Sequence, residues 1–150
     1  MPGEFFFMAI AGLGVSLAGF AGLIAALDPS PGSAVRKWRI RNVVVSGFFL
    51  TFMGFGTIAT HTLTEDVELT VRIISSVSAL LLLVRFSKEI RPGPAWPERR
   101  ALMFASVIGL SVIGLLVSNA VIASVGFLQL LMLFELTDPA SIFLFTVRDL

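Results

Sequence analysis

The sequence predicts an all-α integral membrane protein, a single domain over residues 1–150 built from about five transmembrane helices. Hydrophobic residues make up 56% of the chain and charged residues only 14%, whereas about 25% of residues are charged in a soluble domain. The few charges lie in short breaks between apolar runs. This composition excludes a soluble globular domain and a disordered chain, and the absence of cysteine excludes a disulfide scaffold.

Three apolar runs predict the first three spans. The first covers 5–27, which is 23 residues without a charge, and it ends before the helix-stopping residues 28–32. The second covers 43–62 and the third covers 67–86. Within the third, Glu68 precedes Arg72 by four residues, an order and spacing that favour an ion pair on one helix face.

A long uncharged stretch predicts two further spans. From Ala101 to Phe134 the chain has 34 residues without a charge, or about 50 Å of helix, which is too long for one crossing. A turn at Ser118-Asn119 divides it into spans at 101–118 and 121–147, with Ser124 to Gly126 as the second choice. Pro139 disfavours helix at Asp138, so a kink or a local break of the last span is expected at Asp138-Pro139. Four spans are the alternative count.

Basic residues mark one side of the predicted bundle. Nine of the eleven Lys and Arg residues lie between spans one and two, or at and between spans three and four. The positive-inside bias places that side in the cytoplasm, with the N-terminus outside the cell membrane and the C-terminus inside. The first basic group either sets this topology or binds lipid headgroups; it comprises Arg36, Lys37, Trp38, Arg39 and Arg41.

Small residues recur along the first span and predict a helix contact face, because they let two backbones approach in lipid. Four of them are spaced four apart, and a further pair lies beside them: Gly14, Ala18, Gly22 and Ala26, with Gly12 and Ser16. The partner is either the second span, where Gly47, Gly54 and Gly56 offer a matching surface, or another copy of the chain. Homo-oligomerisation and packing within one chain are both open at this point.

The same helix carries the segment SLAGFAGL, from Ser16 to Leu23, and after a short loop a basic stretch opens the second helix. This pattern resembles the first helix of small multi-pass bacterial membrane proteins known mainly from genomes. The resemblance implies a compact multi-pass membrane protein. It implies no activity and no functional residue.

Polar residues in the last span are functional candidates, because burying an ionisable group in hydrocarbon is costly. Glu135 and Asp138 lie three residues apart, and we expect Gln129 on the same helix face and Asn119 at the outer mouth. Such a set suggests a path for a cation or a proton.

The same carboxylates also allow a structural interpretation. Either of them could pair with Arg85 or Arg148 near the inner surface. Asp138 would then cap a short last helix that begins at Pro139.

Two functional hypotheses from different classes follow. The first is an oligomeric channel or transporter for cations or protons, and the second is an accessory subunit or scaffold of a larger membrane complex. No nucleophile elbow, phosphate loop or HExxH motif is present, so we expect no enzyme. One histidine, His61, and no cysteine predict no metal site, and nothing indicates a cofactor or a nucleic acid partner.

Overall fold

The computed structural model describes residues 1–27, 34–89 and 99–148, and in these ranges the chain is a bundle of five α-helices with no strand. The predicted all-α fold class is therefore confirmed. In chain order the helices are α1 (Glu4–Leu27), α2 (Ala34–Thr64), α3 (Val67–Glu89), α4 (Arg99–Ile122) and α5 (Val125–Arg148).

The helices have the length and composition of membrane spans. Helices α1, α2, α3 and α5 each contain a segment long and apolar enough to cross a bilayer, and α4 contributes the shorter apolar segment Ser106–Ile122. Large apolar side chains such as Phe20, Phe48 and Leu80 lie exposed on the outside of the bundle, which is where lipid would contact them. The chain is thus built as a multi-pass membrane protein.

Neighbouring helices alternate in direction around a central α2, which packs against α1, α3 and α5. We call the end at which α2 begins and α3 ends the basic end, and the opposite end the acidic end. The basic end carries Arg36, Lys37, Arg39, Arg41 and Lys88, and the acidic end carries Glu4, Glu65, Asp66 and Glu68.

Helix α2 begins earlier than predicted, at Ala34 rather than at residue 43. The basic stretch 36–41 therefore forms the first turns of α2, in agreement with a basic stretch that opens the second helix. Arg, Lys and Ile are compatible with helix, and no Gly or Pro interrupts the stretch. With 31 residues, α2 is about 46 Å long and extends beyond a hydrocarbon core of about 30 Å.

The two connections at the acidic end share one construction. Each has two residues, of which the first adopts a left-handed backbone: Glu65 with φ 54° and Ala123 with φ 56°. The second residue caps the next helix, since Asp66 Oδ1 accepts from the Leu69 N–H at 3.1 Å and Ser124 Oγ accepts from the Phe127 N–H at 3.2 Å. These caps explain why α3 and α5 begin where they do.

The predicted turn at Ser118-Asn119 is wrong, because α4 continues to Ile122 and the chain turns at Ala123-Ser124. Asn119 instead supports the turn from within the helix: its Oδ1 accepts from the Ser124 N–H at 3.2 Å. The second-choice turn contained the correct residue, Ser124, whose signal is that of an N-cap.

The predicted break at Asp138-Pro139 is also wrong, because α5 is one helix with Pro139 inside it. Asp138 therefore caps no separate last helix. Membrane helices tolerate an internal proline where neighbouring helices and hydroxyl side chains compensate, and here Pro139 is fully buried. The proline has no N–H to donate to the carbonyl of Glu135, which lies four residues earlier.

Helices α1 and α2 pack with their backbones in direct contact. A Cβ added to Gly14 would lie 2.5 Å from the carbonyl oxygen of Gly47, and one added to Gly54 would collide with the carbonyl oxygen of Phe7. Such an approach requires glycine. The predicted contact of the first span with Gly47 and Gly54 is confirmed, whereas Gly56, the third glycine of that predicted surface, lies against Ile74 of α3.

The contact face of α1 differs from the predicted ridge of residues four apart. Gly14 and Ala18 are buried, but Ser16, Gly22 and Ala26 are exposed, and nothing lies within 4 Å of a Cβ at Gly12 or Gly22. Because a helix has 3.6 residues per turn, positions four apart drift around its axis, and a contact face alternates steps of three and four. The buried positions follow that rule: Phe7, Ile10, Ala11, Gly14, Ala18 and Ala21.

Candidate functional site

The strongest concentration of polar groups within the spans lies near the basic end, where α2, α3 and α5 meet. At its centre is Arg85, one turn before the end of α3. The guanidinium donates to Ser46 Oγ at 3.0 Å and makes a short hydrogen bond to Asn42 Oδ1. Both acceptors are buried on α2. Helix α2 therefore fixes the position of the Arg85 guanidinium, which belongs to α3.

Asn42 extends this network to α5. Its oxygen accepts from Arg85, and its Nδ2 donates to Asp138 Oδ2 at 3.3 Å. A single neutral amide thereby orients a cation on one helix and an anion on another. Sequence reasoning missed Asn42 and Ser46; their only signal is two polar residues four apart, just after the basic stretch.

Glu135 completes the site. It lies on α5 about one turn before Asp138, closer to the acidic end. It is half-buried, and it lies three residues from Asp138 on one continuous helix, so both carboxylates project from one side. Arg85 attracts its carboxylate and Asp138 repels it. The predicted pair is therefore brought together with Arg85, one of the two cationic partners that the structural interpretation named. The other, Arg148, has a side chain outside the described part.

Two residues of the predicted polar path lie elsewhere. Gln129 is nine residues from Asp138, which places it on the opposite side of α5, and its amide lies against Gly3 at the acidic end. Asn119 is fully buried and donates through Nδ2 to Ser75 Oγ at 3.1 Å. The structure therefore keeps Asn119 in the interior, towards the acidic end, and separates Gln129 from the carboxylates.

Arg72 forms the predicted ion pair with Glu68, with 2.6 Å between Nη2 and Oε1, on the exposed side of α3. Its Nη1 also donates to the carbonyl oxygen of Ala120 at 3.4 Å. A cation at the C-terminal turn of α4 complements the helix dipole. This second contact links α3 to α4 and was not predicted.

The basic stretch offers charged groups on the surface of the first turns of α2. Lys37 and Arg41 are exposed and lie four residues apart, on one helix side, while Arg36, Trp38 and Arg39 are half-buried. An anionic group at the membrane surface would meet the exposed pair first.

The described residues contain no group of three or more His, Asp or Glu side chains arranged to hold a metal ion. The chain matches no protein-family model, no characterised protein and no solved structure. The resemblance of the first helix to small bacterial membrane proteins stays a prediction.

Proposed function

We propose that this membrane protein transports protons, and that Glu135 and Asp138 bind the transported proton. The observation that carries the proposal is the polar cluster within the spans, where Asn42 joins Arg85 to Asp138 and Arg85 attracts the half-buried Glu135. Charged groups within spans are expensive and commonly mark ion or proton pathways. The role is not enzymatic.

The fixed guanidinium favours a proton over a metal cation as the transported ion. Arg85 acts electrostatically on Glu135, and its positive charge opposes the binding of a second cation there. A proton needs no coordination sphere, and its uptake by one carboxylate removes the repulsion between the two. Asp138 lies exposed at the level of Asn42, where it can exchange protons with the basic end, and Glu135 lies about 4.5 Å deeper.

The orientation follows from the distribution of charge. The basic end faces the cytoplasm, since cytoplasmic loops are enriched in Lys and Arg. The carboxylate site then lies in the cytoplasmic half of the cell membrane, with the N-terminus outside and the C-terminus inside. Lys37 and Arg41 bind anionic headgroups of the inner leaflet, each contributing about 1 kcal/mol.

We further propose that the chain associates with a second copy or with a partner subunit in the membrane. Helix α1 presents Gly12, Ser16 and Gly19 on an exposed side, and nothing lies within 4 Å of a Cβ added at either glycine. Small exposed residues of this kind allow close approach of another helix. The same face supports the second candidate function, that of an accessory subunit in a larger complex.

Proton flux into liposomes tests the proposal. Purified protein is reconstituted with a pH-sensitive dye inside the vesicles, and an imposed potential drives proton entry. We expect Glu135→Gln and Asp138→Asn each to lower the flux about tenfold or more, since a neutral amide cannot take up and release a proton. Glu65→Gln, which neutralises an exposed acid outside the spans, should leave the flux unchanged.

Two results would contradict transport. One is a wild-type flux no greater than that of empty vesicles, and the other is wild-type flux in both site variants. Native mass spectrometry from nanodiscs separates the remaining candidates: an accessory subunit copurifies with a different protein and moves no protons alone, whereas a transporter is active as a single copy or a homo-oligomer.

A further inference from the structure

One buried hydroxyl in α3 lacks the partner that such groups normally have. Hydroxyls within helices often donate to the carbonyl four residues earlier, and several in this chain do so, among them Ser16, Ser111, Ser118 and Thr57. Ser78 is fully buried, and its Oγ has no hydrogen-bond partner among the described residues. Buried polar groups are almost always bonded to protein or to water, so we expect the Ser78 hydroxyl to bind a partner other than a described residue.

Ser78 lies between two polar groups of the interior. It is three residues from Ser75 and seven from Arg85, so all three project from the same side of α3. Along the helix axis these steps are about 4.5 Å and about 10.5 Å. Along α3, Ser78 therefore lies between Arg85 and the buried pair of Ser75 and Asn119.

The hydrogen-bond direction at that pair leaves one proton available. Asn119 Oδ1 accepts from the Ser124 N–H, so its Nδ2 is the atom that donates to Ser75 Oγ. The Ser75 hydroxyl accepts from Asn119, so its own hydrogen is left to donate to another acceptor. Ser78 lies one turn further along the same side of α3.

We propose that Ser78 binds a buried water molecule, which bridges the hydroxyl of Ser78 to the hydroxyl of Ser75. This water site does not rest on the proposed function.

A bound water normally has two to four hydrogen-bond partners inside a protein. Here the hydroxyls of Ser78 and Ser75 supply two of them, and both residues are fully buried on α3.

Water-edited solid-state NMR on the full-length, isotope-labelled protein in liposomes tests the water site directly. We expect Ser78 and Ser75 to receive magnetisation from water as rapidly as Ser124 does at the turn. Thr57 is the matched control, because it is equally buried but its hydroxyl donates to the Met53 carbonyl at 2.5 Å. If Ser78 gains signal as slowly as Thr57, the water site is overturned.

The Ser78→Ala variant tests whether this hydroxyl holds the water. It removes a hydroxyl that binds no described residue, so the variant should fold normally, and its Ser75 should gain signal from water as slowly as Thr57 does. Ser118→Ala, on the exposed side of α4, should leave the rapid transfer to Ser75 unchanged. If Ser75 still gains signal rapidly in the Ser78→Ala variant, Ser78 does not bind the water and the proposal is overturned.

Discussion

Asn42 and Asp138 are 96 residues apart in the chain, yet the Asn42 amide donates to the Asp138 carboxylate at 3.3 Å. The same amide accepts a hydrogen bond from Arg85. Three helices thus share one buried side chain, and that side chain has no charge of its own. Asn42 is for this reason the residue on which the geometry of the site most depends.

Replacing Asn42 should destabilise the bundle. Asn42→Leu keeps the side-chain size but leaves Arg85 and Asp138 without the amide that joins them. Hydrogen bonds to charged groups contribute roughly 1.5–3 kcal/mol each, so we expect a clearly lower melting temperature by circular dichroism in detergent. Thr62→Val, an exposed position whose hydroxyl binds its own helix, is the control. Equal stability of Asn42→Leu and wild type would contradict the assigned role.

Replacing glycine with alanine should destabilise the protein inside the α1–α2 contact and stabilise it on the outer side of α1. Gly54→Ala forces a methyl against the Phe7 carbonyl, and overpacking of this kind costs about 1–3 kcal/mol. Gly12→Ala meets nothing within 4 Å and should stabilise α1 by up to about 1 kcal/mol, because alanine favours helix. Thermal unfolding of both variants measures the difference. A more stable Gly54→Ala protein would show that the helices do not pack this closely.

A glycine in the turn between α4 and α5 should raise the stability of the protein. Ala123 has φ 56°, and a left-handed backbone costs an L-residue with a Cβ roughly 1–2 kcal/mol. Ala123→Gly removes this strain, so its melting temperature should rise. Ala120→Gly, inside α4, should lower it, since glycine is about 1 kcal/mol worse than alanine in a helix. The prediction fails if both substitutions destabilise the protein equally.

The orientation is testable because the chain has no cysteine. An impermeant thiol reagent applied to intact cells should label Thr64→Cys, at the acidic end, from outside. Ser33→Cys, in the connection between α1 and α2, should react only after the membrane is opened. Labelling of Ser33→Cys in intact cells, with Thr64→Cys protected, would invert the topology proposed from the basic residues.

Much of the architecture is encoded locally and could be predicted from the sequence. Helix α1 begins at Glu4 and ends at Leu27, within one residue of the predicted span, because charge and proline stop an apolar run wherever it lies. The pair of Glu68 and Arg72 follows from a spacing of four on one helix. Gly47 and Gly54 could be named as a possible contact surface for α1, since glycine lets two backbones approach closely in lipid.

The tertiary structure alone decided which faces meet. A membrane helix is apolar on its lipid side as well as on its buried side, so periodicity does not separate the two as it does in a soluble protein. For that reason the sequence could not show that Gly22 faces outward or that Gln129 lies away from the two carboxylates. The contacts of Arg85 with Asn42 and Ser46, and the continuation of α5 through Pro139, depend on how α2, α3 and α5 pack together. The sequence determined the number and class of the helices, and packing between them determined which polar groups form the site.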